Sequence, residues 1–247
     1  GSMSDEPALL ETPDLLVSVV VPMLNEAENV RPLWAELEAV SATWPFQAEF
    51  IFIDDGSADA TPARLREVAA VDSRVTVIQF ARRFGQSAAL SAGFRHARGQ
   101  VVVPMDGDMQ NNPRDIPALV AALDDPPGFD VVSGWRQKRQ DGFWLRRLPS
   151  VMANRLIGRL TWTRLHDFGC TLKAYRREIV QDVLLYGEMH RFLPVICTWQ
   201  GGHITERVVD HRPRTRGTSK YNLKRTIKVL LDLLTVKFLG DYLSKPL

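Results

Sequence analysis

The sequence predicts an α/β fold, a mostly parallel sheet with helices on both faces. Three observations carry this. Short β-branched apolar runs alternate with segments of helical periodicity from Leu15 to Ser133. The pace of alternation suits one crossover helix per strand, which makes neighbouring strands parallel. Acidic and glycine-rich turns follow strands: Ile51-Phe52-Ile53 runs into Asp54-Asp55-Gly56-Ser57, and Val101-Val102-Val103-Pro104-Met105 into Asp106-Gly107-Asp108. Ligands of such sheets sit at the carboxyl ends of the strands, so these acids are expected to share one crevice.

Leu15 to Val21, closed by Pro22, reads as a buried first strand. Asn25 is the expected cap of the first helix, with Glu26 and Glu28 in its first turn, where the helix dipole favours carboxylates. Val30, Leu33, Leu37 and Val40 then recur at helical spacing. Phe50 to Ile53 is the second strand, Thr61 to Val71 a helix, and Val75 to Phe80 the third strand. Gln86 to Ala97 is Ala-rich and helical, and Val101 to Met105 is the fourth strand. Pro113 opens a helix to about Leu123 at a position where proline is favoured, and Asp130 to Ser133 is a fifth strand.

Beyond this point Leu148 to Leu160 is amphipathic and helical, and Phe168 to Tyr175 is expected to return to the sheet. His190 to Trp199 is a helix, Gly202 to Val209 a strand, and residues 210–220 a basic loop. From Asn222 onward Leu223, Ile227, Leu230, Leu231, Leu234, Phe238 and Tyr242 make one apolar stripe, with Lys224, Arg225, Lys228 and Lys237 beside or opposite it. That pattern suits a helix on an anionic membrane surface and equally a helix packed on the domain.

Composition narrows the function. A net charge of +2 over 247 residues, with no aromatic-basic platform, argues against a nucleic-acid module. Two cysteines, Cys170 and Cys197, are too few and too far apart for a disulfide framework or a Cys-x-x-Cys metal site. Gly1-Ser2-Met3 reads as a tag-removal scar at the head of a flexible segment, 1–14, that lacks a signal-peptide pattern. No stretch reaches the roughly 20 apolar residues that span a bilayer, so the chain as given is expected to be water-soluble.

The chemistry lies in two constellations. Pro22, Asn25, Glu26, Asp54, Asp55, Asp106, Asp108 and Gln110 put oxygen ligands at strand ends. Such groups accept hydrogen bonds from a nucleoside or hold a metal on its phosphates; Asp54 and Asp55 alone fit turn and helix capping as well. Neither Gly-x-Gly-x-x-Gly nor Gly-x-x-x-x-Gly-Lys-Ser/Thr occurs, so phosphate charge must be met by metal and by Arg or Lys. The second constellation is cationic: Arg136, Lys138, Arg139, Arg146 and Arg147, then Arg212, Arg214, Arg216 and Lys220. Arginine suits bidentate phosphate recognition, although such runs are often only solvated faces.

Val-Ser-Val-Val-Val-Pro with Asn25-Glu26, Ile-Asp-Asp-Gly-Ser, and Asp-Gly-Asp-Met-Gln-Asn together resemble the inverting family 2 glycosyltransferases. Gly85-Gln86-Ser87 with Ala92-Gly93, Asp167-Phe168-Gly169-Cys170, and Arg214-x-Arg216-Gly217-x-Ser219-Lys220-Tyr221 narrow the likeness to the polyprenyl-phosphate glycosyltransferases. That group includes dolichol-phosphate mannose synthase, undecaprenyl-phosphate glucosyltransferases and the undecaprenyl-phosphate 4-deoxy-4-formamido-L-arabinose transferase, and the motifs around Arg136 and Asp167 are closest to the last. The resemblance covers about residues 17 to 247 and implies a GT-A fold with a Rossmann-like sheet. It implies a catalytic domain over 15–221 and an amphipathic juxtamembrane helix over 222–247 whose following membrane helices are cut away.

It further implies transfer of a sugar from a nucleotide-sugar donor, expected to be UDP-linked, to polyprenyl phosphate. Pro22, Asn25, Glu26, Asp54 or Asp55, with Asp106, would hold the nucleotide. Asp106, Asp108 and Gln110 would organise Mg²⁺ or Mn²⁺ on the diphosphate. Arg136, Arg147, Arg212 or Arg214, Ser219 and Lys220 would face the phosphates, and Asp108, Asp167 and Arg136 would be catalytic. The setting would be the cytoplasmic face of the inner membrane, against the membrane surface, in a possible homo-oligomer. The alternatives are a GDP-mannose donor or a sugar-hydroxyl acceptor; the latter needs a Gln-x-x-Arg-Trp-like segment, which the sequence lacks.

Overall fold

The computed structural model describes residues 14–137, 165–183, 185, 187 and 189–213. The expected helices over 148–160 and from Asn222, and Arg147, Arg214, Ser219 and Lys220, lie outside them. No helix among the described residues is long and apolar enough to cross a membrane.

The order of elements is β1 (Leu16–Met23), α1 (Ala27–Ser41), β2 (Gln47–Asp54), α2 (Thr61–Val71), β3 (Val75–Gln79), α3 (Gln86–His96) and β4 (Val101–Pro104). Then come α4 (Ile116–Ala121), β5 (Val131–Trp135), β6 (Lys173–Arg176), α5 (Arg177–Val180), α6 (Leu193–Trp199) and β7 (Ile204–Val208). The seven described strands form one sheet in the order β3-β2-β1-β4-β6-β5-β7. Every neighbouring pair is parallel except those of β6, which runs antiparallel to both β4 and β5.

Two apolar layers cover the sheet. On one face Val19, Val21, Phe50, Phe52 and Val103 pack with Trp34 and Leu37 of α1 and Leu65 of α2. On the other Val20, Ile51, Ile53 and Val102 pack with Leu90 and Phe94 of α3 and with Leu193 and Cys197 of α6. The alternation of faces along β1 and β2 follows from the twofold side-chain period of a strand, and burial of both faces is the mark of a parallel sheet.

The structure corrects several expected boundaries. The cap of α1 is Glu26, one residue later than expected; Asn25 instead takes the left-handed conformation, with φ of 54°, and its Oδ1 accepts the Ala58 amide at 2.8 Å. The segment from Pro113 is a 3₁₀ turn, then α4, then a second 3₁₀ turn, and Asn112 caps it by accepting the Arg114 amide. Of the expected 168–175 segment only Lys173 to Tyr175 pair into the sheet, in a strand that runs on to Arg176. The helix around residue 190 begins as a 3₁₀ turn over Met189–Phe192 and becomes α-helical where Pro194 can occupy the first turn.

A candidate active site at the carboxyl rim of the sheet

Register sets the site. Met23 pairs with Asp54 and Asp54 with Gln79, so β1, β2 and β3 end level. Pro104 pairs with Val20, which brings Asp106 to the height of Pro22. Val102 and Val131 both face Tyr175 across β6, so Arg136 leaves β5 at the rim where Asp106 leaves β4. The loop before β6, holding Asp167 to Thr171, starts from this rim too, as does the turn after β7 that carries Arg212.

Asp54 and Asp55 have different roles. Asp55 is buried, and its carboxylate accepts the backbone amides of Phe84 (2.7 Å) and Gly85 (3.0 and 3.1 Å), fixing the loop that leads into α3. Asp54 is fully buried; Oδ1 accepts the Ser57 amide at 3.3 Å, and Oδ2 has no partner among the described residues. A buried carboxylate oxygen without a protein donor is costly and is met by a donor from water or a ligand. The loops after β1 and β2 are tied together: Asn25 donates its amide to Ser57 Oγ, Glu26 to Thr61 Oγ1, and Ala27 to Asp59. The Glu26 carboxylate accepts from Asn29 Nδ2. Pro22 is half-buried at the last pairs of β1.

The turn after β4 is built against β1. Gly107 has no room for a side chain, because a Cβ there would lie 2.2 Å from Met23 Sδ, and Met109 takes φ of 68°. The Met23 carbonyl in turn accepts the Asp55 amide, so the two acidic turns share this residue as a neighbour. Asp106 accepts from Gln86 Nε2 at 3.1 Å on one oxygen and from Thr171 Oγ1 at 2.8 Å on the other. Protein surrounds its carboxylate, one edge of which lines a pocket. Burial and then the Asp108 charge raise its pKa, against the lowering effect of Thr171, Arg136 and Arg191. Asp108 Oδ1 accepts the Gln110 amide, and Gln110 Nε2 donates to the Arg212 carbonyl.

A metal can be judged against this donor set. Magnesium-type sites commonly use one or two carboxylates and let substrate phosphates and water complete the shell. The Asp106–Asp108 pair, whose mutual repulsion a cation would relieve, fits that pattern. Among the described residues no group of three or more His, Cys, Asp or Glu could form a closed cage.

Facing the acids are Arg136 and Asp167, joined by a bidentate pair: Nε to Oδ2 at 2.7 Å and Nη2 to Oδ1 at 3.0 Å. Both are largely buried, and Glu206 of β7 holds the loop by accepting the His166 and Asp167 amides. Burial works to lower the pKa of Arg136, but the Asp167 hydrogen bonds and charge raise it, helped by Cys170 and Asp106. Arg212 is engaged elsewhere, with Glu36 of α1 at 2.7 and 3.0 Å and with Asn112 Oδ1 at 3.0 Å.

Sequence reasoning missed Lys173. It is buried at the head of β6, donates to the Cys170 carbonyl, and burial lowers its pKa despite the raising effect of Cys170, Asp167 and Asp106. With Asp106, Gln86, Thr171, His190 and Arg191 it lines a pocket of about 120 Å³. A lysine opening an apolar strand run was the available signal; its neighbours come from distant segments and left none.

A family model described as glycosyl transferase family 2 matches residues 18–184. The chain is 44% identical over 238 residues to a dodecaprenyl-phosphate galacturonate synthase of Rhizobium johnstonii, covering 94% of this chain and 69% of that one. It is 41% identical over 222 residues to an undecaprenyl-phosphate 4-deoxy-4-formamido-L-arabinose transferase of Pseudomonas fluorescens, covering 89% of this chain and 64% of that one. The chain thus spans about two thirds of the length of these curated relatives. Among solved structures, mannosyl-3-phosphoglycerate synthase of Rubrobacter xylanophilus superposes with a TM-score of 0.73 at 18% identity, covering 94% of this chain and 76% of that one. Glucosyl-3-phosphoglycerate synthase of Mycobacterium tuberculosis, in complex with Mn²⁺ and UDP-glucose, gives 0.70 at 20% identity, covering 91% and 79%. These likenesses establish the GT-A-like α/β fold.

Proposed function

We propose that this chain, which belongs to glycosyl transferase family 2, moves one sugar from a UDP-linked donor to a polyprenyl phosphate, with inversion at the anomeric carbon. The observation that carries this is the placement of Asp54, Asp106 and Asp108 on one rim with the Arg136–Asp167 pair. The relatives' names support the acceptor: both groups are polyprenyl-phosphate sugar enzymes, one for galacturonate and one for 4-deoxy-4-formamido-L-arabinose.

The acceptor phosphate is already an anion at neutral pH, so the reaction asks little of a general base. The protein's part is positioning and charge stabilisation. Asp54 Oδ2 would accept a nucleoside N–H or O–H, within the loops that Asn25 and Glu26 fasten. Asp108, Asp106 and Gln110 would hold Mg²⁺ or Mn²⁺, which would supply positive charge to the donor diphosphate. Arg136, fixed in plane by Asp167, would hold a phosphate oxygen near the anomeric carbon; Arg147, Arg214, Ser219 and Lys220 would complete the acceptor side. Arg212, bound to Glu36 and Asn112, would serve by bracing the turn after β4. The reaction would take place at the cytoplasmic surface of a membrane.

The test is incubation of the protein with Mn²⁺ or Mg²⁺, a panel of UDP- and GDP-sugars, and polyprenyl phosphate. Release of nucleoside diphosphate that requires both lipid and metal is expected with a UDP-sugar. Release with GDP-mannose alone would overturn the UDP assignment, and lipid-independent or absent release would overturn the reaction.

A further inference from the structure

We propose that the loop between β3 and α3, residues 80–85, docks on an anionic bilayer surface through Arg82, Arg83 and Phe84. The choice of a membrane rests on the sugar-transfer reading; the contact surface itself is read from the loop. The first observation is how firmly the backbone of the loop is held. The Phe80 amide donates to the Asp54 carbonyl at 2.9 Å, and the buried Asp55 carboxylate accepts the amides of Phe84 and Gly85. Gly56 takes φ of 68°, and a Cβ there would lie 2.4 to 2.8 Å from backbone atoms of Arg82 and Arg83. Asp55 and Gly56 thus pin the arch from the side of β2, and Phe80 meets Phe84 edge-on with ring centroids 5.5 Å apart.

The second observation is what the pinned arch presents. Arg82, Arg83 and Phe84 are all exposed, Phe84 by 56%. Arg82 lies over the Phe84 ring at 4.8 Å, so a guanidinium and an apolar face are offered together. Neither arginine makes a hydrogen bond or ion pair with another described residue. Elsewhere on the surface Arg31, Arg74, Arg98 and Arg207 each pair with a carboxylate. The acids nearest in the fold cannot serve, since Asp54 is fully buried and Asp55 is spent on amides. A single exposed aromatic is ordinary. An aromatic beside two unpaired arginines on a fixed backbone suits a bilayer interface, where the ring enters the headgroup region and the arginines meet lipid phosphates. A free phosphate would use the arginines and leave the ring idle. The loop leaves β3 level with Asp54 and enters α3 at Gln86, which donates to Asp106. A bilayer held there lies at the edge of the rim, where a lipid-borne acceptor has to arrive.

The experiment places an environment-sensitive thiol dye on the loop. Cys170 and Cys197 are both buried, so Ala81→Cys, exposed beside the three residues, is labelled selectively. Arg95→Cys, exposed in the last turn of α3, is the control. Vesicles of equal parts phosphatidylglycerol and phosphatidylcholine should blue-shift the dye at 81 and not at 95, and bromine on the lipid tails should quench it. Phosphatidylcholine alone and inorganic phosphate should do neither. Adding Arg82→Gln and Arg83→Gln should raise the half-saturating vesicle concentration about tenfold or more, and Phe84→Ser should weaken the quenching, while calorimetric affinity for a nucleotide-sugar stays unchanged. No shift at 81, or an equal shift at 95, overturns the inference. So does a response to inorganic phosphate equal to that to vesicles, which would mark a free-anion site. An arginine variant that keeps its vesicle response but binds the nucleotide-sugar more weakly overturns it in favour of a donor-phosphate contact. Failure of the sugar-transfer reading shows separately, as absence of nucleoside diphosphate release by the wild type with detergent-solubilised polyprenyl phosphate, whatever the dye reports.

Discussion

At the scale of single residues, the site depends on how each charge is held. In the proposed role of phosphate ligand Arg136 would need a fixed guanidinium, and Asp167 fixes it through two hydrogen bonds of 2.7 and 3.0 Å in a largely buried setting. Removing one member of a buried pair leaves the other charge unpaired, at about 3–5 kcal/mol. Asp167→Asn should therefore lower the stability to urea by an amount near the low end of that range, since the amide oxygen still accepts one bond; no shift in the midpoint would show the pair to be unimportant. The contrast between Asp54 and Asp55 belongs here too. One carboxylate fastens a loop and the other keeps an oxygen that has no partner among the described residues. The sequence displays two adjacent aspartates and no hint of this division, because it depends on which side chain points across to residues 84 and 85.

At the scale of elements, the alternating pattern made β1 to β5 and their helices legible, since each apolar run is local, although the cap of α1 fell at Glu26 rather than Asn25. The carboxyl-end acids were legible for the same reason: strand and turn are contiguous. The return of the 168–175 segment to the sheet was legible; what escaped was the place and direction of β6. Its four residues slot between β4 and β5 in the opposite direction, a long-range choice that no periodicity within Lys173–Arg176 encodes. With β6 went Lys173, and likewise the Thr171–Asp106 and Arg212–Glu36 contacts, which join residues far apart in sequence. Packing of α3 on the sheet provides a test at this scale. A Cβ at Gly93 would lie 2.3 Å from Val20 Cγ1 and 2.9 Å from Ile53 Cδ1. Gly93→Ala should destabilise by about 1–3 kcal/mol, as overpacking does, seen as a lower melting temperature; an unchanged or higher one would show that α3 does not sit this tightly.

At the scale of the whole molecule, the opposite end of the sheet supplies stability while the carboxyl rim carries the proposed chemistry. There Glu49 of β2 accepts from Ser18 of β1 at 2.6 Å and from the amide and side chain of Arg98 before β4, both at 2.7 Å. Burial would raise the pKa of Glu49, but these hydrogen bonds and the Arg98 charge lower it below the ordinary 4.5. A carboxylate whose folded pKa is depressed contributes stability that is full above its unfolded pKa and is lost as pH falls through the folded value. Stability should thus fall below about pH 4.5, and Glu49→Gln should lower stability at neutral pH while flattening that acid limb in urea titrations against pH. An equally steep limb in the variant would place the acid sensitivity elsewhere. The account as a whole turns on the acids of the rim gripping a diphosphate through a cation. Calorimetric titration of a nucleotide-sugar, with Mn²⁺ and with EDTA, into the wild type and Asp108→Asn tests this most directly. Binding that requires Mn²⁺ and falls by about 30-fold or more in the variant, roughly 2 kcal/mol for a lost charged contact, is the predicted result. Equal affinity with EDTA, or an unchanged affinity in Asp108→Asn, would contradict it.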